Sequence, residues 1–263
     1  MRPECRTGKA GELYDARIIA VYDEKVTTAL VLSAGGMYAA WEVGVWKALA
    51  TRVRPDVIVG ASAGAWNGWA IAGGASPEEL EREWLDASLA TLRVLRPEPL
   101  HRRARDLWSR FRPRVPFGLV VVETPRFRER LVRDAEISWR HLAATASIPG
   151  LFPPVRIDGC LCVDGGLLGA LPLWGAQEMS ATRAIAVNCL RGFPSRILRR
   201  VLWRSSPTLA LEVVSIVPSE RLGSLRDSVI WSRTKIEGWI ALGERDGEQA
   251  LRLLTNQSSA GYV

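Results

Sequence analysis

Short apolar runs alternate with helical patterns over the first hundred residues. Thr27 to Ser33 is continuously apolar and ends in Ala34-Gly35-Gly36. A short apolar run closed by glycine fits a fully buried strand. From Met37 to Ala50 only Gly44 interrupts, and Trp41, Val45, Trp46 and Leu49 recur at helical spacing. The same grammar then repeats. Val57-Ile58-Val59 reads as a buried strand, 60–64 as a turn and Ala65 to Ala72 as a helix. Ser76-Pro77-Glu78-Glu79 is a capping box with proline at the first helical position, opening a helix expected to reach about Ala90. Such alternation indicates an α/β fold, a mostly parallel sheet with helices on both faces.

Further on the pattern is less regular. Residues 91–114 are rich in arginine and divided by Pro97, Pro99 and Pro113. Gly118 to Val122 reads as a strand, and Glu136 to Ala146 as a helix that Ser138 caps. Residues 147–154 form a rigid turn. Two short runs around Asp158-Gly159 make a hairpin ending at Asp164-Gly165-Gly166. Ala184 to Cys189 and Leu211 to Val217 are expected strands, and Arg221 to Leu254 is expected to be mostly helical. The division predicted is a leader over 1–25 with a short strand at Arg17 to Tyr22, one domain over 26–255, and a frayed tail over 256–263.

Composition narrows the classes. The 263 residues are 48% hydrophobic and 24% charged, which is ordinary globular usage. Four cysteines, Cys5, Cys160, Cys162 and Cys189, form no CxxC pair and read as small apolar residues in a reducing compartment. With only His101 and His141, a His-rich metal site is not available. Charged residues within the first twelve positions break any apolar signal core, so no signal peptide is expected and the chain reads as cytoplasmic. Val57 to Pro77 is uncharged and long enough to span a bilayer, but glycines break it into strand, turn and helix.

The formal charge of +7 is uneven, because Arg93 to Arg114 alone carries eight arginines against Glu98 and Asp106. That is a local basic patch, not the diffuse charge of a nucleic-acid coat. It interleaves Leu107, Trp108 and Phe111, so it suits phospholipid headgroups, nucleic acid or a solvated helix face. No recognised nucleic-acid module accompanies it. A second basic stretch, Ser195 to Arg204, has amphipathic spacing and reads as a surface helix packed on the core or lying on an anionic membrane.

Two glycine turns carry candidate chemistry. Gly60-x-Ser62-x-Gly64 places a serine on a tight strand-to-helix turn, where its hydroxyl projects away from the backbone. Ser33-Ala34-Gly35-Gly36-Met37 can present free backbone N–H groups. That suits either a phosphate loop, though no GxxxxGK[ST] is present, or an oxyanion hole beside the serine. The α/β-hydrolase order of serine, acid, histidine fails twice. No histidine follows Asp164, and too few strands precede Gly60. A carboxylate acting directly on the serine remains, with Asp164 the candidate; burial would have to raise its pKa.

Taken together these pieces resemble the patatin-like phospholipase family. The glycine-rich loop at 33–39, Gly60-Ala61-Ser62-Ala63-Gly64, Asp164-Gly165-Gly166 and the run 146–155 each match a family segment, across about residues 27–190. The loop departs from the usual GGGx[RK]G: residue 34 is Ala, Tyr38 replaces the basic residue and Ala39 the glycine. The resemblance implies a three-layer α/β/α sandwich and a Ser62–Asp164 dyad. It also implies calcium-independent hydrolysis of lipid acyl esters, with no cofactor and no metal. Gly35, Gly36 and Met37 are the expected oxyanion donors. Tyr38, Trp66 and Trp69 are expected pocket residues, and Arg102, Arg103, Arg105, Trp108 and Phe111 expected contacts with an anionic membrane. The alternative carried forward is a catalytically weak lipid-binding or scaffolding protein on the same fold.

Overall fold

The computed structural model describes residues 26–92, 96–190 and 210–260, with side chains through 253. The expected leader at 1–25 and the amphipathic stretch at 195–204 lie outside the described residues, as does Cys5.

Among the described residues eight strands form one sheet: β1 (Thr28–Leu32), β2 (Val57–Ala61), β3 (Phe117–Thr124), β4 (Arg128–Arg133), β5 (Val155–Ile157), β6 (Cys160–Asp164), β7 (Arg183–Val187) and β8 (Glu212–Ile216). Their order is β5-β6-β3-β2-β1-β7-β8, with β4 also pairing β3. The β2–β1–β7–β8 pairings and the β3–β2 pairing are parallel, whereas β4, β5 and β6 add antiparallel pairs at one side.

Helices cover both faces. They are α1 (Ala39–Leu49), α2 (Ala63–Ala72), α3 (Pro77–Leu85), α4 (Pro97–Arg110), α5 (Trp139–Ala144), α6 (Leu173–Glu178) and α7 (Arg233–Ala260). The central strands alternate faces with the period of two that a pleated strand requires. Leu30, Leu32 and Ile58 point into the large core under α1, α2 and α4. Ala29, Val31, Val57 and Val59 point the other way, against Ala176 of α6. That is why the strands read as unbroken apolar runs and not as an alternating pattern.

Glycine also sets how α1 meets α7. A Cβ on Gly44 would fall 1.9 Å from the Ile240 carbonyl oxygen, and one on Gly243 would fall 2.0 Å from that of Trp41. The two backbones therefore touch, and the Trp41 indole N–H donates to Asp246 at 2.8 Å across the contact. Gly44, an apparent interruption in the sequence, is what lets the helices close.

Several boundaries differ from the pattern reading. The helix opened by Ser76 ends at Leu85, where the Asp86 side chain accepts the Ser88 N–H and starts a separate 3-10 turn. The expected helix over 221–254 begins only at Arg233. Ahead of it, Asp227 accepts both the N–H and the hydroxyl of Ser224, a local bond that competes with helix formation. The helix also continues through Ala260, into the stretch expected to fray. β4 and α6 were not anticipated. β4 reads Arg-Glu-Arg-Leu-Val-Arg, too charged to look like a strand, and α6 is too short to show a period.

Candidate active site

The first turn of chemistry follows from how β3 is used. Its residues 118–123 pair with β4 along one edge, so the other edge must serve both remaining partners. β2 takes the first half, up to Ala61 opposite Val120, and β6 takes the second, from Asp164 opposite Val121. The C-terminal ends of β2 and β6 therefore meet head-on. Ser62 and Asp164 are brought together by sheet topology, although 102 positions separate them in sequence.

Ser62 has φ +54° and ψ −132°, a strained conformation for a residue with a Cβ. Its N–H donates to Thr145 Oγ1 at 3.0 Å, and Thr145 Oγ1 donates to the Val120 carbonyl at 2.7 Å. The Thr145 carbonyl in turn accepts the Gly165 N–H. One fully buried threonine thus holds the backbone beside both Ser62 and Asp164. Sequence reasoning passed over it as part of a helix; three small polar positions, 145, 147 and 138, flank that helix and were the available signal.

The Ser62 hydroxyl donates to Asp164 Oδ2 at 2.6 Å. Asp164 Oδ1 accepts the Gly166 N–H at 2.7 Å. Burial pushes the Asp164 carboxyl up to about 7, opposed by those two hydrogen bonds. That brings the carboxyl from the ordinary carboxylate range to near neutrality. Neither histidine bonds to the pair: His141 Nδ1 accepts the Ser138 N–H at the start of α5.

The glycine loop comes close because Gly64 has no side chain; a Cβ there would lie 2.3 Å from the Ser33 carbonyl oxygen. Gly36 sits at φ +56° against the Ser228 carbonyl. The N–H groups of Gly35 and Gly36 have no partner among the described residues, and both glycines line the cavity that contains Ser62 and Asp164. Met37 departs from expectation. Its N–H donates to the Ser228 carbonyl at 2.8 Å, so it is not free to hold an oxyanion.

Two apolar arms open from Ser62. One, of about 560 Å³, runs between Trp66, Trp84, Leu89, Leu100 and Phe152. The other, of about 700 Å³, passes Asp164, Leu167, Ala170, Leu225 and Arg226. Both lie within the range of ligand-binding clefts. Trp66 lines the first arm, its indole N–H fixed by the Leu142 carbonyl. Trp69 does not: it is buried against Phe117 and donates to the Leu107 carbonyl. Tyr38 is not a wall residue either. Its hydroxyl donates to the Ser224 carbonyl and its ring meets Trp239 edge-on, so it pins the segment over the cleft.

The expected membrane contacts also change. Phe111 is buried, and Arg103 forms an ion pair with buried Glu83 at 2.6 Å. Trp108 is half-buried, donating to the Ile137 carbonyl with Arg112 stacked on its ring. Only Arg102 and Arg105 of that set are exposed, and Arg105 lies over Trp139. The apolar members of the stripe pack α4 on the core. Among the described residues no cluster of three or more His, Cys, Asp or Glu is placed to hold a metal ion, and no helix is long and apolar enough to cross a membrane. Cys160 is exposed, while Cys162 and Cys189 are buried; all three are free thiols.

A strand–serine–helix elbow facing a carboxylate delivered by an antiparallel strand, on a mostly parallel sheet, is the feature to set beside known proteins. Residues 30–120 and 115–176 match the patatin-like phospholipase family, and the chain belongs to it. Patatin-like phospholipase domain-containing protein 6 of Mus musculus is 27% identical over 188 residues, covering 62% of this chain but only 13% of that protein. Lysophospholipase NTE1 of Scheffersomyces stipitis is 37% identical over 57 residues, 22% of this chain and 4% of that one. The fold is similar to that of VipD from Legionella pneumophila, with a TM-score of 0.52 and 13% identity, covering 86% of this chain and 67% of that chain.

Proposed function

We propose that the protein is a serine hydrolase that cleaves acyl esters of lipids, with Ser62 as nucleophile and Asp164 as its base. The observation that carries this is the 2.6 Å hydrogen bond from Ser62 to a buried Asp164 where two apolar arms join. Ser62 Oγ attacks the ester carbonyl while its proton passes to Asp164 Oδ2. The carbonyl oxygen, now negative, is held by the Gly35 and Gly36 N–H groups. Collapse of the tetrahedral species breaks the ester bond, and Asp164 returns the proton to the departing alcohol. Water then attacks the acyl-Ser62 ester, giving its proton to Asp164; collapse of this second tetrahedral species releases the fatty acid, and Asp164 returns the proton to Ser62 Oγ.

The arm lined by Trp66, Trp84 and Leu89 suits the acyl chain, being enclosed by aromatic and aliphatic side chains. The other arm suits the alcohol portion, with Arg226 exposed at its rim. Leu225 and Ile230 are 65% and 46% exposed in the same segment, a surface suited to lipid contact. Peripheral contact with an anionic membrane from the cytoplasmic side belongs to this reading, with Arg102 and Arg105 as further cations.

A series of p-nitrophenyl esters and lysophospholipids tests it. Leu89→Trp is expected to cut kcat/KM for long acyl chains about tenfold or more, since each excluded methylene is worth about 1–3 kcal/mol, and to spare the butyrate ester. No turnover of any ester by wild-type protein that still binds liposomes would favour the lipid-binding alternative.

A further inference from the structure

Beneath the Gly35-Gly36 loop runs a chain of buried polar groups that the dyad does not touch. Glu42 of α1 is 1% exposed. Its Oε1 accepts the Ser33 hydroxyl at 3.0 Å and the Ser33 N–H at 2.9 Å, the N–H being shared with the Val187 carbonyl. Its Oε2 accepts Asn67 Nδ2 at 3.1 Å. The orientation of that amide is fixed, because Asn67 Oδ1 accepts the indole N–H of Trp84, which can only donate. Cys189 completes the chain. Its N–H donates to Ser33 Oγ at 3.0 Å, and its Sγ lies 3.3 Å from Ser33 Oγ and 3.6 Å from the Ala34 carbonyl oxygen. That carbonyl belongs to the same peptide unit as the Gly35 N–H.

We propose that Glu42 is a positioning residue for the oxyanion loop, acting through Ser33 and Cys189 on the Ala34–Gly35 peptide, and that its ionisation weakens the oxyanion hole. This rests on the hydrolase reading above. With Glu42 neutral, its O–H donates to Ser33 Oγ, the Ser33 hydroxyl turns to Cys189 Sγ, and the thiol donates to the Ala34 carbonyl. Each bond polarises the next, and the last draws charge so that the Gly35 N–H becomes a better donor toward the cleft. When Glu42 releases its proton to solvent, the Ser33 hydroxyl turns back to the carboxylate and the chain reverses. A negative charge without a counter-ion then sits behind the groups that must hold another.

The surroundings leave the charge uncompensated. Around Glu42 itself stand Ser33, Asn67 and Cys189, of which only the thiol titrates. Asp246 on α7 is held by Trp41 and the Ser219 N–H, and Glu83 on α3 by Arg103 and Arg110. Lys47, further along α1, pairs with Glu81 and Glu244. Burial pushes Glu42 up to about 8, against the hydrogen bonds from Asn67 and Ser33, and pushes the Cys189 thiol well above its ordinary value. Activity therefore rises as Asp164 loses its proton and falls as Glu42 loses its own.

The test is the pH profile of kcat/KM on a soluble p-nitrophenyl ester, for wild type, Glu42→Gln and Cys189→Ser. Wild type is expected to lose about fivefold or more between roughly pH 7.5 and 9.5, a macroscopic alkaline limb. Glu42→Gln, held neutral, keeps the acid limb and loses the alkaline one. Cys189→Ser retains a hydrogen-bond donor and keeps both limbs, which excludes thiol ionisation as the cause. An alkaline limb unchanged in Glu42→Gln would overturn the inference alone, whereas a wild type inactive at every pH would overturn the hydrolase reading. Should Glu42→Gln not fold, infrared titration of wild type and Asp164→Asn decides. A protonated-carboxyl band lost near pH 8 in both is expected, and its absence would contradict the proposal.

Discussion

Asp164→Asn is expected to produce a protein about a thousandfold or more less active than wild type yet more stable at neutral pH. The loss of activity follows from removing the proposed base, within the range of about 10²–10⁴ that general-base catalysis supplies. The gain in stability follows from linkage. Burial raises Asp164 from 3.8 to about 7 in the folded protein. A carboxyl raised in this way stabilises the fold below its unfolded value, and the contribution is lost as pH climbs toward the folded one. Wild type thus loses stability between about pH 4 and pH 7, on the order of 3–4 kcal/mol as an upper bound. The amide carries no such cost, since Gly166 can donate to its oxygen and its NH2 can donate to Ser62. Thermal melts at pH 4 and pH 8 check this: the advantage of the variant grows from near zero to several degrees. Equal melting temperatures at both pH values would mean that Asp164 is not held against its ionisation.

The second large effect is expected at Gly36. Alanine there must adopt φ +56° and place its Cβ 2.2 Å from the Ser228 carbonyl oxygen. Neither strain can be relieved without moving the loop, because the next residue is tied to the same carbonyl through the Met37 N–H. Gly36→Ala should lower kcat about 10²–10³-fold, as loss of an oxyanion donor does, with little change in KM. A KM increase with kcat preserved would show that the loop binds substrate without stabilising the transition state.

Much of the candidate site was legible in the sequence because its residues sit in turns. Ser62 and the two glycine loops follow buried strands, and a strand-turn-helix unit fixes where the turn residue points. Asp164 was legible because the Asp158-Gly159 hairpin delivers it at a strand end. Partners that act across the fold were not. Thr145 is one small residue in a helical stretch, and its importance comes from touching β3, the elbow and Gly165 at once. Glu42 lies beside Trp41 on α1, and its role comes from Ser33, Asn67 and Cys189, which three other parts of the chain bring to it. Tyr38 was read as a substitute for a basic loop residue, but Trp239 and Ser224 claim its ring and hydroxyl. Phe111 and Arg103 looked like a membrane-facing stripe. The stripe is real, but its apolar side faces the core and its charge meets Glu83, a residue twenty positions away that no local pattern connects to it.

The central claim is that Ser62 carries the acyl group, and covalent labelling tests it most directly. Wild-type protein treated with a fluorophosphonate and digested should yield one modified peptide, with the adduct on Ser62. Ser62→Ala should take up no label, and Asp164→Asn should react far more slowly. Label on another serine, or equal labelling of Ser62→Ala, would contradict the account.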